Sequence, residues 1–382
     1  MSKLSILVEG WRGINHSYAL VNQYQLLEFK KQNIDLFHKD VPFIYSHWNA
    51  QKNYSGFALD EHQTIESIPN IDEGRTPDII YRISSLYNYA DAKARKIFVF
   101  GPPELQSLKG LFFGATLEEA ISNEKLEIVT PSRWSSNAFL KSGFSKDRVH
   151  IVTHGVDPKI FRLEQESIRE RFRSKLGLQP DDFALLSISA LTWNKGTDLL
   201  IEAYAKLKPR LKKLKLIIKD QNNVYGLQSK GFLEKINKAA KFEISEEILR
   251  SIIFVTGNLN LNQIRELYSA CDCYVSPYRA EGFNLPPLEA AACGLQSIVT
   301  KGGSTDDYFS DKIGSQVASI CKTMPDGGAY LEPNIDDLIS KIEFSSLNLR
   351  TMHDKIKLSE DIHDKYSWEK VSKHLLDVIG SA

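Results

Sequence analysis

Short apolar runs alternate along this chain with longer segments in which apolar residues recur every three or four positions. The first run, residues 4–8, is rich in branched side chains and predicts a strand, and residues 18–30 follow with helical spacing. Further strands are predicted at 78–81, Lys96–Phe100, 126–129 and 149–152. Ser132 or Ser135 is placed to cap a helix running to about Lys141. After a charged stretch at 164–175, with the composition of a linker helix, the rhythm starts again. Strands are predicted at Phe183–Ile188, 214–218, Ile252–Val255, 272–275 and 295–299, with helices at 197–206, 262–270 and 286–292 among them. The last amphipathic segment, 368–379, has no strand after it.

Strand and helix in alternation make a parallel sheet with helical crossovers, which is a doubly wound α/β fold. Two such series predict two Rossmann-like domains facing a cleft, the first over residues 1–170 and the second over 171–364. A length of 382 residues fits two cores better than one.

The composition, 42% hydrophobic and 25% charged, excludes collagen-like and largely disordered classes. With 48 basic and 48 acidic side chains, no global field draws the molecule to nucleic acid, so an anionic ligand must be held by a local site. The one dense basic run, 206–215, is interrupted by Pro209 and reads as a solvated helix end and turn. None of the four cysteines has a partner at zinc-ligand spacing; they predict reduced, mostly buried thiols and a cytoplasmic setting. The opening run is too short for a signal peptide, and no stretch nears the ~18 apolar residues of a membrane span. That predicts a soluble protein and leaves a peripheral membrane contact open.

The residues that bear chemistry follow the predicted strand at 272–275. This strand ends at Ser276-Pro277, a helix begins at Pro286 or Pro287, and Glu281-Gly-Phe-Asn-Leu lies between. Proline suits a first helical turn because its missing N–H would be unpaired there. The loop therefore sits at the carboxyl end of a parallel strand, where doubly wound folds bind ligands. The amides from Gly282 onward precede a helix N-terminus, a setting that attracts phosphate oxygens. Glu281 in the loop can reach the cleft, whereas Glu289 lies in the first turns of the helix. A carboxylate accepts from two vicinal hydroxyls, so one of the pair suits a ribose and the other a hexose.

The stretch Glu281-Gly-Phe-Asn-Leu-Pro-Pro-Leu-Glu289 is similar to the Glu, seven residues, Glu motif of retaining glycosyltransferases of the GT-B fold, family 4, the group 1 glycosyl transferases. Lys195-Gly196-Thr-Asp-Leu-Leu resembles that family's pyrophosphate-binding turn and helix. Pro131-Ser132, Gly155-Val-Asp157 and Phe161 resemble its stretch at the end of the first domain. Gly257-Asn-Leu and Leu267-Tyr-Ser-Ala-Cys-Asp272 resemble its approach to the acidic motif. Ser367-Trp368-Glu369 resembles its closing helix, expected at about 365–382 and packed back on the first domain.

The resemblance implies a hexosyltransferase of glycan or surface polysaccharide synthesis that needs neither metal nor cofactor. Its donor is a nucleoside diphosphate sugar on the second domain, and its acceptor a glycan, a lipid-linked sugar or a protein on the side of the first. Glu289 is implied to bind the ribose, Glu281 the donor sugar, and the amides of Gly282, Phe283 and Asn284 to lie near sugar and phosphates. Lys195 is implied to neutralise the departing diphosphate, where negative charge builds in the transition state. The acceptor is implied to attack the face that the diphosphate leaves, with a donor phosphate oxygen taking the proton and configuration retained.

Two positions depart from the family. The arginine that commonly precedes the lysine is absent, Ser189-Ala190 standing there, and Lys219 at the next strand end is a candidate for the second positive charge. The histidine that many members carry after the middle strand of the first domain is absent too. Gly101-Pro-Pro-Glu104 occupies that place, which makes Glu104 a candidate. Glu9-Gly-Trp-Arg-Gly13-Ile-Asn-His16 resembles the glycine-rich loop near the reacting sugar. Gly13 lets backbone approach a ligand, and Arg12 and His16 are candidates for the acceptor side. His154 reads as structural and Asp306-Asp307 as a polar turn. Phe43, Tyr45, Trp48, Tyr54 and Phe57 suit a sugar-stacking surface or a core equally. A sugar-nucleotide epimerase or a phosphorylase stays open because both use related two-domain folds, and the two absences keep open an inactive sugar-nucleotide-binding subunit.

Overall fold

The computed structural model describes residues 3–14, 16–48, 57–220 and 244–381. They fall into two compact units, one made of 1–155, 325–328 and 366–382, the other of 156–324 and 329–365.

The first unit opens with β1 (Ser5–Gly10), α1 (Ser17–Lys30), β2 (Asp35–Asp40), α2 (Leu59–Glu66) and β3 (Ile79–Ile83). The two-residue strands β4 (Tyr87–Asn88) and β6 (Phe112–Phe113) flank β5 (Lys96–Phe100). Then come α3 (Leu117–Ser122), β7 (Leu126–Thr130), α4 (Arg133–Lys141) and β8 (Val149–Ile151). Six strands form one parallel sheet in the order β2-β1-β3-β5-β7-β8. β3 and β7 are buried along their whole length, as strands covered on both faces must be, and this is why they read as apolar runs. Ser132 is the cap of α4, its hydroxyl accepting from the Ser135 amide at 3.1 Å. The hydrophobic pattern does not predict β2, whose sequence Asp-Leu-Phe-His-Lys-Asp puts polar residues at both ends of an edge strand.

The second unit begins with α5 (Glu166–Lys175), β9 (Phe183–Ile188), α6 (Thr197–Leu207) and β10 (Leu214–Lys219). It continues through α7 (Glu246–Arg250), β11 (Ile252–Val255), α8 (Leu261–Ala270), β12 (Cys273–Ser276) and α9 (Leu285–Ala292). β13 (Gln296–Thr300) and β14 (Gly314–Val317) close a parallel sheet of order β11-β10-β9-β12-β13-β14. Numbered along the chain, that is the Rossmann order 3-2-1-4-5-6, which reverses between β9 and β12. Leu185, Leu200, Tyr204, Leu216, Ile218, Val275 and Ile298 make the heart of its core. Burial of each such leucine or isoleucine contributes about 1.5–3 kcal/mol. An antiparallel hairpin, β15 (Ser319–Thr323) and β16 (Ala329–Pro333), precedes α10 (Ile335–Leu347) and α11 (Met352–Tyr366).

The basic run falls on the end of α6 and the turn into β10, where Lys206 meets Glu202 at 2.8 Å, Arg210 meets Glu343 at 2.9 Å and Lys213 meets Asp181 at 2.8 Å. The last helix, α12 (Trp368–Ser381), belongs to the first unit. Its Trp368 ring stacks on Tyr24 of α1 with centroids 5.0 Å apart and planes at 10°. Cys271, Cys273 and Cys293 are buried free thiols and Cys321 is exposed. Among the described residues no helix is long and apolar enough to cross a membrane.

Candidate active site

The reversal of strand order between β9 and β12 leaves a crevice beyond their carboxyl ends, because the following connections leave in opposite directions. After β9, a single 3₁₀ turn, Trp193–Lys195, leads into Gly196, which takes the left-handed conformation (φ 69°) and caps α6. After β12, Pro277 to Ala280 run directly over that turn. A β-carbon at Gly196 would stand 2.0 Å from the Pro277 carbonyl oxygen, so only glycine fits.

The two connections are pinned together by main chain and by one arginine. The Asn194 carbonyl accepts from the amides of Arg279 and Ala280 at 2.7 and 3.1 Å. The buried Arg279 guanidinium grips both oxygens of Asp198 on α6 at 2.8 and 2.7 Å and donates to the Trp193 carbonyl at 2.9 Å. It also lies over the Trp193 ring, 5.0 Å from its centroid. The outcome is that Lys195 Nζ and Glu281 Oε2 meet at 2.9 Å, both side chains largely shielded (16% and 13% exposed). Replacing Arg279 with glutamine is expected to lower stability by about 2 kcal/mol, the scale of hydrogen bonds to a charged group. Lysine is not expected to rescue it, since an ammonium cannot make the two-pronged contact. Thermal unfolding reads this directly, and an unchanged midpoint in Arg279→Gln would refute it.

Beyond Glu281, the chain turns inward. Phe283 packs on Tyr308 with ring centroids 4.9 Å apart, and the Asn284 side chain donates to the Ser276 hydroxyl at 3.0 Å. Asn284 is left-handed (φ 68°) and caps α9, whose first turn holds Pro286. Tyr308 fixes the corner by donating to the Asn284 carbonyl at 2.7 Å. Phe283 and Asn284 thus direct their side chains into the protein. On α9, Glu289 accepts from the Tyr268 hydroxyl at 2.9 Å, and burial pushes its carboxyl up to about 7, against the pull of that hydrogen bond. Lys219 ends β10, next to β9, and is buried with its ammonium on the Asp220 carbonyl; burial lowers its pKa, with Asp220 opposing.

In the first unit, the reversal lies between β1 and β3, and the candidates after β1 gather there. Gly13 is left-handed (φ 74°) and its amide donates to the Gln23 side chain at 3.2 Å. Arg12 is a tether: it donates to both oxygens of Asp40 at 2.9 and 2.5 Å and to the Ile65 carbonyl at 2.9 Å. His16 caps α1, its Nδ1 accepting from the Tyr18 amide at 3.2 Å, within an aromatic group that includes Trp11 and Trp48. The Glu104 carbonyl accepts from Trp134 Nε1 at 2.7 Å. His154 is buried against Phe100 and Trp368, and burial holds its imidazole down to about 3. Tyr54 lies outside the described residues. Asp306 accepts from the Gly302 amide at 3.0 Å and from Gln316 at 2.7 Å, within a 3₁₀ turn.

The sequence does not single out Asn194, Asp198, Tyr268 or Arg279, because each acts on a partner 21 to 86 residues away. Asp198 and Tyr268 do lie in the stretches that resemble the family, and Arg279 stands two residues before Glu281, but no spacing identifies their partners.

Residues 168–343 match the family described as Glycosyl transferases group 1. An uncharacterized glycosyltransferase of Methanocaldococcus jannaschii is 24% identical over 236 residues, covering 61% of this chain and 54% of that protein. The serotype-specific mannosyltransferase WbdA of Escherichia coli is 30% identical over 213 residues, 53% of this chain and 25% of that protein. The chain therefore spans about half or less of these relatives' own length. A crystal structure of HepE from Anabaena in complex with UDP superposes with a TM-score of 0.68 at 15% identity, covering 99% of this chain and 100% of that one. Both sheets, their strand orders and this likeness make the fold GT-B, with two Rossmann-like units. Over residues 168–343, just under half of its length, the chain is similar to the group 1 glycosyl transferases.

Proposed function

We propose that the protein is a retaining glycosyltransferase that moves a hexose from a nucleoside diphosphate sugar to a hydroxyl acceptor, without a metal ion, in the synthesis of a glycan or surface polysaccharide. The observation that carries this reading is the Lys195–Glu281 ion pair at the strand-order reversal of the second unit. A diphosphate arriving there would meet the Lys195 ammonium, and the Glu281 carboxylate released from it would accept from sugar hydroxyls. The amides of Gly282, Phe283 and Asn284 lead into α9, whose N-terminus favours phosphate oxygens. Glu289 accepts from the ribose. Tyr268, whose own pKa burial raises well above the ordinary value, stays protonated and orients that carboxylate.

Attack on the face that the diphosphate leaves needs no protein base, and a donor phosphate oxygen takes the acceptor proton. Lys219 stands at the adjacent strand end and brings the second positive charge toward the diphosphate in place of the arginine missing at Ala190. The UDP and UDP-glucose complexes of HepE, and the mannosyltransferase activity in the name of the Escherichia coli relative, support a nucleotide-sugar donor.

A thermal-shift screen over UDP, GDP, ADP and TDP tests the reading. At least one nucleotide is expected to raise the unfolding midpoint, by about 2.7 kcal/mol of stability at a hundredfold excess over Kd. Glu289→Ala is expected to remove most of that rise, and the rise in the parent protein is expected to weaken as pH falls below about 7, where Glu289 gains a proton and loses acceptor capacity. An equal rise in Glu289→Ala, or none with any nucleotide, would overturn the assignment.

A further inference from the structure

Trp193 stands in the 3₁₀ turn after β9, two residues before Lys195, and is the one exposed tryptophan of five. Trp11, Trp48, Trp134 and Trp368 are buried, whereas 48% of Trp193 faces solvent. Its ring is nevertheless held still. The Arg279 guanidinium lies over one face, 5.0 Å from the centroid, which leaves the exposed area to the opposite face and the rim. Tyr330 of β16 meets the indole nearly edge-on, with centroids 5.0 Å apart and planes at 68°. The Leu331 amide donates to the Arg279 carbonyl at 2.7 Å and so fixes β16 beside the turn. Leu331 itself is buried, and its neighbours Tyr330 and Glu332 point the other way, toward Trp193 and Arg279. The Glu332 carboxylate is partly exposed, 3.7 Å from Arg279 Nε, and makes no hydrogen bond among the described residues. Asp198, the other acid on Arg279, has both oxygens engaged.

A pinned, half-exposed indole with an unengaged carboxylate beside it matches a pyranose. The C–H face of the sugar covers the ring, and its hydroxyls donate to the carboxylate. Topology says which sugar. The connections from β9 to β10 and from β12 to β13 step in opposite directions along the sheet, so right-handed crossovers put α6 and α9 on opposite faces. Glu289 on α9 and Trp193 at the entry to α6 thus stand on opposite sides of the strand ends. A donor with its ribose at Glu289 and its diphosphate at Lys195 has its base far from Trp193, and Glu281 takes its hexose. The next ring belongs to the acceptor.

We propose that Trp193 and Glu332 form a subsite for a pyranose ring of the acceptor, so that the group receiving the hexose is itself a carbohydrate and not a protein side chain. The identity of that ring rests on the donor reading above; the stacking does not.

Saturation-transfer NMR of the full chain with the methyl pyranosides of glucose, mannose, galactose and N-acetylglucosamine tests it. At least one glycoside is expected to receive saturation from the parent protein, and Trp193→Ala and Glu332→Ala are each expected to weaken its binding about tenfold. Trp193→Phe, which keeps an aromatic face, is expected to retain most of it. Trp193 also reports its own occupancy. The bound glycoside is expected to reduce acrylamide quenching of the parent's fluorescence but not that of Trp193→Phe, whose four remaining tryptophans are buried. Unfolding midpoints check that each variant is folded. Transfer to none of the four glycosides, or equal binding by parent and Trp193→Ala, would overturn the proposal. So would a loss, in Trp193→Ala, of stabilisation by UDP, GDP, UDP-glucose or GDP-mannose, which would give the ring to the donor. Failure of the donor reading shows elsewhere, as no nucleotide stabilising the parent protein, so the two failures are distinct.

Discussion

Lys195→Ala is expected to lower the rate of sugar transfer by about 10²- to 10³-fold, the range seen when one group facing developing charge is removed. The effect is electrostatic. As the bond between sugar and diphosphate breaks, negative charge grows on the leaving group, and a fixed ammonium lowers the barrier more than it lowers the energy of bound donor. Lys195 is held where that charge would appear by the turn Trp193–Lys195 and by Glu281 at 2.9 Å. The loss is therefore expected mainly in kcat, with the donor KM moving far less. A large KM change with kcat intact would instead make Lys195 a ground-state anchor and sink the catalytic role. Removing Lys195 also takes its ammonium away from Glu281, so activity needs a control for structure. The double variant Lys195→Met, Glu281→Gln removes both charges at once; it is expected to keep its fold and remain inactive.

Gly196→Ala is expected to destabilise the second unit by about 3 kcal/mol. Two costs add. A non-glycine residue in the left-handed region costs about 1–2 kcal/mol, and overpacking against fixed backbone costs about 1–3 kcal/mol more. The backbone is fixed because the Pro277 carbonyl would lie 2.0 Å from the new carbon, and Arg279 and Ala280 just beyond it are tied to Asn194. Gly177 supplies the control. It has nearly the same φ, 70° against 69°, but nothing within 4 Å of the added carbon. Gly177→Ala is therefore expected to show only the backbone cost. Paired thermal unfolding of the two variants reads the difference, and equal midpoint losses would refute the close approach at Pro277.

Much of this architecture could be read from the sequence because buried parallel strands advertise themselves. β9 and β11 begin and end where the apolar runs do, and β12 and β13 start one residue later than their runs, because Asp272 and Leu295 complete the preceding turns. The edges could not be read this way. β2 carries polar residues at its ends, and β14 is Gly-Ser-Gln-Val, with too few apolar positions to set a period. At the site, the spacing of Glu281 and Glu289 and the Lys-Gly pair located the two loops, since those signals are local. What holds the loops together is not local: Arg279 meets Asp198 across 81 residues, and no periodicity relates them. Arg12 and His16 show the opposite limit. Their residue types suit an acceptor site, but both hold up their own unit, one tethering β2 and the other capping α1.

The first unit is not a continuous stretch of chain, and this has a bearing on how the protein is made. Its helix α1 presents Tyr24 to Trp368, and Gly155 leaves room for the Trp368 backbone, where a β-carbon would come within 2.8 Å. During synthesis from the amino terminus, the sheet of the second unit is complete before α12 leaves the ribosome. The unit begun first is thus finished last. Until its closing helix arrives, the side of α1 that carries Tyr24 stays wet, and a chain that stalls short of residue 366 has a closed second unit and an unclosed first one.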